Sequence, residues 1–163
     1  MNLGEEDESE DESVGDAYFN LAYAQLKEGD EIALVNFEAA LKMKEKLYDF
    51  KSTGQENDED YQTLQACYRH LLFLYKKNYG ADQIQLGDLS EGRGNLYASK
   101  QNYQKALQFY AEAVRIYKTH YGVNHLSIGN ILHNMGNTLV ENKEKAKALK
   151  CYEKSLDITK VSL

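Results

Sequence analysis

The residues of this chain best suited to metal or nucleophilic chemistry are four histidines and two cysteines. His120, His125 and His133 lie close in sequence. The first two flank a loop, however, and none has an Asp or Glu at the i, i+4 spacing that lets a helix present a metal pair. His70 follows Cys67 by one helical turn, and two ligands without two more do not hold a metal. Cys67 and Cys151 have no partner at metal-site or redox-motif spacing and sit among apolar and aromatic neighbours, as buried free thiols do. Gly92-Arg93-Gly94 has no strand before it and no Lys-Ser/Thr after it, so it does not make a phosphate loop. These spacings argue against an enzyme, a metal site and a cofactor, and direct attention to the elements that carry the residues.

Size and charge narrow the class. A chain of 163 residues suits one domain that buries roughly two-thirds of its unfolded surface. No apolar run approaches the ~20 residues of a membrane span, and the acidic start is the opposite of a signal peptide's basic one, so a cytosolic or nuclear protein is expected. The net charge of −7 is uneven: EEDESEDE at residues 5–12 holds seven acids, and the other 19 acids balance 19 bases. Like charges so dense bury nothing, which predicts a disordered acidic tail over 1–13. The neutral remainder, 14–163, argues against nucleic acid as a direct ligand.

There is no proline, and no window alternates apolar and polar residues for long. Helix formers dominate, with breaks at Gly29-Asp30, Ser52-Thr53-Gly54, Tyr79-Gly80 and Tyr121-Gly122. The expected class is all-α. Sliding the chain by 42 residues lays YGADQIQLGDLSEGRGNLYASKQNYQKALQFYAEAVRIYK over YGVNHLSIGNILHNMGNTLVENKEKAKALKCYEKSLDITK without a gap. Tyr79, Gly80, Gly87, Gly94-Asn95, Ala106-Leu107, Tyr110, Ile116 and Lys118 fall on Tyr121, Gly122, Gly129, Gly136-Asn137, Ala148-Leu149, Tyr152, Ile158 and Lys160.

Each copy reads as two antiparallel helices, A and B, joined at Gln101-Asn102 or Asn142-Lys143. Small residues on A (Gly94, Gly136) and B (Ala106, Ala148) let the backbones approach, and a tyrosine one turn along B (Tyr110, Tyr152) fills space toward the next helix. One pair cannot bury both its faces, so pairs must stack as a solenoid. An earlier copy, YFNLAYAQLKEGDEIALVNFEAALKM, repeats the signature with Leu21-Ala22, the turn Gly29-Asp30, Ala33, Phe37 and Ala40.

This pattern resembles the tetratricopeptide repeat, over residues 16–43, 87–120 and 129–162. The 42-residue period and YGVNHLSIGNILHNMGNTL are similar to the long-helix variant of kinesin light chains. Three positions depart from the pattern: Leu126 stands where proline is usual, Ser155 replaces a small alanine, and Arg93 replaces the leucine before Gly94. The resemblance implies a right-handed α-solenoid of about seven helices, with repeats at 16–43, 85–120 and 127–162 and a degenerate repeat over 44–80. There, Tyr68, Leu74, Lys76, Tyr79 and Gly80 mark a B helix. A long first B helix over 31–51 is expected to leave that repeat either one helix short or with a broken A helix. His125 is expected to cap the helix that follows it.

The resemblance also implies protein–protein binding, with an extended or helical partner segment in a concave groove lined by A helices. The A-helix positions away from B include Asn20, Glu91, Asn95, Asn130, His133, Asn134 and Asn137. Uncharged amides in a row can pair with a peptide backbone whatever its sequence. Family members that clamp a C-terminal carboxylate use basic residues at positions matched here by Phe19, Tyr23, Glu91, Asn95, His133 and Asn137. None of these is basic, so that function is not expected. The kinesin-light-chain likeness suggests an adaptor in microtubule-based transport or a ciliary assembly.

Two further expectations concern the ends. Ser9, followed by Glu10-Asp11-Glu12, suits an acidophilic kinase, and an acidic tract beside a repeat domain is the alternative mark of a chaperone for basic proteins such as histones. The last helix, around Cys151 and Ile158, has no polar cap. That implies a longer array, an end-to-end self-association or a covering partner.

Overall fold

The computed structural model describes residues 3–28, 31–48, 50 and 58–162, with side chains from residue 10 onward. Among them are seven helices: α1 (Leu3–Glu28), α2 (Ala33–Leu47), α3 (Asp58–Tyr79), α4 (Ile84–Ser99), α5 (Tyr103–Tyr121), α6 (Leu126–Glu141) and α7 (Lys145–Val161). The chain divides into two compact units, Met1–Leu74 and Tyr75–Leu163, with the division falling inside α3.

In the second unit α4 pairs with α5, α6 pairs with α7, and α5 packs on α6. The 42-residue offset is kept to the residue: α4 and α6 start at Ile84 and Leu126, α5 and α7 at Tyr103 and Lys145. The turns repeat as well. Gln101 and Lys143 take φ values of 61° and 63°, the left-handed conformation that closes a helix. The amides of Asn102 and Glu144 bond back to Tyr97 and Leu139 at 3.0 and 2.8 Å. Gly80 and Gly122, at φ 93° and 82°, stop α3 and α5, where a residue with a Cβ would be strained.

Tyr110 packs toward the next helix as expected, in a cluster with Ile128 and Ile131 of α6, and both repeat tyrosines also lie over a glycine. Tyr152 lies over the glycine of its own pair: a Cβ on Gly136 would stand 2.5 Å from Tyr152 Cε1. Tyr110 covers Gly94 in the same way, at 2.7 Å, with the Ala106 carbonyl oxygen at 3.3 Å from that Cβ position. The glycine is therefore the floor under the tyrosine ring, because any side chain there would occupy the ring's volume. Gly94→Ala is expected to destabilise the protein by about 1–2 kcal/mol: overpacking costs 1–3 and the better helix former returns up to about 1. Gly136→Ala should be nearly neutral, since Tyr152 is only half-buried and can swing aside, whereas Tyr110 is buried. Urea midpoints of the two variants provide the check.

The first unit pairs α1 with α2, over a core that includes Ala22, Ala33, Phe37, Ala40, Leu64, Cys67, Tyr68 and Leu71. Lys44 of α2 is buried and ion-paired to Asp16 of α1 at 2.5 Å and to Asp60 of α3 at 3.8 Å. Beside it, the Tyr68 hydroxyl donates to the Glu45 carboxylate. Burial holds that carboxyl above the usual range, with the Tyr68 hydrogen bond opposing the shift.

Two sequence expectations change. The tract expected to be disordered over 1–13 is helical from Leu3, while residues 1 and 2 lie outside the described residues. Acidic residues in the first turns of a helix complement the positive end of its dipole, and glutamate is a good helix former, so the charge run is compatible with a helix end. Asp11 also accepts a hydrogen bond from Lys46 Nζ of α2 at 3.3 Å. The first B helix is shorter than 31–51: α2 stops at Leu47, where Tyr48 turns to an extended conformation and packs edge-on against Phe50. Of the two layouts left open for 44–80, the described residues carry a single helix, α3; residues 49 and 51–57 lie outside them.

Candidate functional site

Within the second unit, Asp88, Glu91 and Asn95 follow one another along one face of α4, and Asn130, His133 and Asn137 do so along α6, at helical spacing. Asp88, Asn130, His133 and Asn137 are exposed, and Glu91 and Asn95 are half-buried. These are polar positions on the A helices, and tyrosines from the B helices reach through to them. Tyr110 Oη donates to Asn95 Oδ1 at 2.6 Å, and 42 residues on Tyr152 Oη donates to Asn137 Oδ1, also at 2.6 Å. Each ring rests on the glycine just before its asparagine. Gly–Asn on one helix and Tyr on the other thus form one device. Each carboxamide turns its oxygen to the tyrosine, and its NH2 is left as the group able to meet a ligand.

A second tyrosine serves the start of α4. Tyr117 packs over Gly87, and its hydroxyl donates to Asp88 Oδ1 at 2.5 Å and faces Glu91 Oε2 at 3.1 Å. One hydroxyl proton cannot satisfy two carboxylates. Desolvation by burial holds Glu91 above the usual carboxylate range; the Tyr117 hydrogen bond opposes the shift and the Asp88 charge adds to it. Tyr117 and Tyr110 are pushed above the ordinary phenol range, chiefly by burial.

The sign of the linkage follows. Between the unfolded glutamate value and the raised folded one, the native state binds more protons, so this group's contribution makes stability fall as pH rises through that window. Glu91→Gln keeps an acceptor for Tyr117 without the charge. It is expected to raise the urea midpoint at pH 7 and to narrow the difference between pH 7 and pH 5 relative to wild type. An unchanged pH difference would show that Glu91 titrates normally.

The remaining residues singled out in the sequence are dispersed. Asn20 is exposed on α1, in the first unit. Asn134 is half-buried on α6, its carbonyl accepting from Thr138 Oγ1 at 2.9 Å. The side chain of Ser9 lies outside the described residues. His125 caps α6, its Nδ1 accepting from the Ser127 amide at 3.1 Å while its ring stacks on Tyr121. With His125 capping, Leu126 takes the first helical position, where proline is merely favoured. His70 stacks on Phe37 at 4.9 Å and meets Tyr23 edge-on. Burial lowers its pKa, with Arg69 adding to the shift. Burial pushes the Cys67 thiol up to about 12, which leaves almost no thiolate at neutral pH. Among the described residues no three His, Cys, Asp or Glu side chains gather to hold a metal ion, and no helix is long and apolar enough to cross a membrane.

The other departures from the repeat pattern have structural roles. Arg93 lies over the Phe109 ring at 4.6 Å, a cation–π contact in place of leucine packing. Ser155 Oγ donates to the Gly129 carbonyl at 2.7 Å, joining α7 to α6. Sequence reasoning missed the tyrosine–asparagine coupling, although both pairs stand 15 residues apart in both copies. It missed the Tyr117 network because the matching position in the next copy is Thr159.

Residues 89–160 match the tetratricopeptide repeat family. No curated protein matches the chain. Among 31 matching chains of known structure is BtubC (BKLC) from P. vanneervenii, at a TM-score of 0.61 and 16% identity over 97% of this chain and 57% of that one. At that identity the likeness is one of fold, and this chain spans little more than half of that protein's length. A helical-repeat fold of this kind is generally non-catalytic and suggests a scaffold for protein–protein interaction. Residues 89–160 are thus similar in sequence to the tetratricopeptide repeat, and the all-helical chain shares the fold of a solved neighbour across nearly its whole length.

Proposed function

We propose that the chain is an adaptor of the cytosol or nucleus that binds a partner peptide along a groove formed by α4 and α6, through the Asn95 and Asn137 amides. The observation that carries this reading is the matched pair of 2.6 Å hydrogen bonds from Tyr110 and Tyr152. They fix both carboxamides in one orientation before any ligand arrives, which lowers the entropy lost on binding. Two such NH2 groups, one on α4 and one on α6, suit backbone carbonyls of a partner strand. His133, Asn130 and Asn134 flank the track, and Asp88 and Glu91 disfavour acidic peptides. The likeness of 121–139 to kinesin-light-chain repeats extends the reading to cargo linkage in microtubule-based transport or a ciliary assembly.

The test is selection of peptides from a random display library on the immobilised full chain, followed by affinity measurement on the Asn95→Ala/Asn137→Ala variant. Neutral or basic peptides should dominate, and the variant should bind them about tenfold more weakly, as two lost hydrogen bonds of ~0.5–1.5 kcal/mol each imply. Equal affinity for the variant removes the asparagines from the account. Binding carried by residues 1–13, abolished by their deletion and by salt, would instead favour the chaperone reading.

A further inference from the structure

An apolar stripe on α1 repeats, position for position, the α6 face that is buried against α5, and α7 exposes two leucines at positions equivalent to α5 residues, with Ser155 and Thr159 standing where α5 has Ala113 and Tyr117. In the second unit α6 seats on α5 through Ile128, Ile131, Leu132 and Met135, which pack on a cluster containing Tyr110, Ala113 and Tyr117. Val114 of α5 shares a hollow with Ile128 and Leu132. Aligning Gly15 and Ala22 of α1 with Gly129 and Gly136 of α6 places Val14, Ala17, Tyr18 and Leu21 at those four α6 positions. On α1 these residues line an open apolar depression, with Leu21 49% exposed. Shifting α5 by 42 residues places Leu149 and Leu156 of α7 on Leu107 and Val114, and the two leucines are 60% and 54% exposed. Charge agrees with shape. The α1 sequence holds nine acids and one base, and that of α7 holds five lysines and two acids.

We propose that the protein assembles head to tail, the α1 face of one copy seating on the α7 face of the next in the manner of α6 on α5. The occupant of each face is a second copy of this chain, since one molecule carries an α6-like apolar face, exposed leucines at the α5-equivalent positions of α7, and helices of opposite charge. The contact joins two different surfaces, so it is heterologous and each copy can engage one neighbour through α1 and another through α7. A contact built from single helices is small beside the ~1,200 Å² of stable complexes. The assembly is therefore concentration-dependent, and salt weakens it by screening the acidic and basic helices from each other.

Sedimentation equilibrium of the full chain tests this, with Leu21→Glu blocking the α1 face and Leu156→Glu the α7 face. Wild type should rise from 18.6 kDa to twice that mass and beyond with concentration, and less so in 0.5 M NaCl. Each variant alone should remain a monomer. Their equimolar mixture should reach twice the monomer mass and stop, because each contributes one intact face. A wild type that stays monomeric at every concentration, self-association of either variant alone, or a mixture that stays monomeric overturns the proposal. Circular dichroism confirms folding, and Val14→Glu and Leu149→Glu replace either block if it unfolds the chain.

Discussion

Tyr110→Ala should lower stability by about 3–5 kcal/mol, the range for deleting a large buried aromatic residue, whereas Tyr152→Ala should lower it by about 1–2. The two tyrosines occupy the same position of the repeat, lie on equivalent glycines and donate to equivalent asparagines at the same 2.6 Å. They differ in what covers them. Tyr110 is 2% exposed within the cluster joining α4, α5 and α6, and Tyr152 is half-buried. Removing Tyr110 opens a cavity over Gly94 that the helices cannot close, and it deprives Asn95 of its donor. The space left by Tyr152 is open to solvent. Urea unfolding of both variants checks the ranking, and equal losses would mean that burial by the next helix adds nothing to the repeat.

Removing both partners of Lys44, as Asp16→Ala/Asp60→Ala, should cost about 3 kcal/mol, while Lys44→Met should change stability by less than about 1 kcal/mol in either direction. The lysine is 3% exposed and Asp16 is 54% exposed, so the burden of desolvation falls on the ammonium group. Without its carboxylates that charge is stranded among α1, α2 and α3. Without the charge, a methionine of similar length fills the same channel, and the two aspartates return to water. Thermal and urea unfolding of both variants measure the contrast. A Lys44→Met loss as large as that of the double aspartate variant would mean that the ion pairs are a net source of stability.

Much of this architecture was legible because repetition doubles the signal. Gly94-Asn95 and Gly136-Asn137, 42 residues apart, locate two A helices, and Tyr-Gly at 79–80 and 121–122 locates two helix ends. His125 reads as a cap because the resemblance to the long-helix repeats implies that role for a loop histidine before the A helix. Where the copies differ, less was readable. Tyr117 lacks a matching tyrosine, so its hydrogen bonds to Asp88 and Glu91 are visible only in three dimensions. The start of α1 at Leu3 is not legible from charge repulsion alone, because the helix dipole offsets part of that repulsion. Helical phase alone points to Asn95 and Asn137. Their orientation depends on a hydroxyl arriving from a different helix, which spacing along one helix does not encode.

The central claim is that the two preset asparagine amides contact a bound polypeptide. It is tested most directly by titrating the 15N-labelled full chain with a display-selected peptide and following the side-chain NH2 resonances of Asn95 and Asn137. Both pairs should shift together, along the same saturation curve, and Tyr110→Phe/Tyr152→Phe should reduce the affinity by releasing the carboxamides. Saturation of the peptide with both NH2 pairs unmoved would contradict the claim.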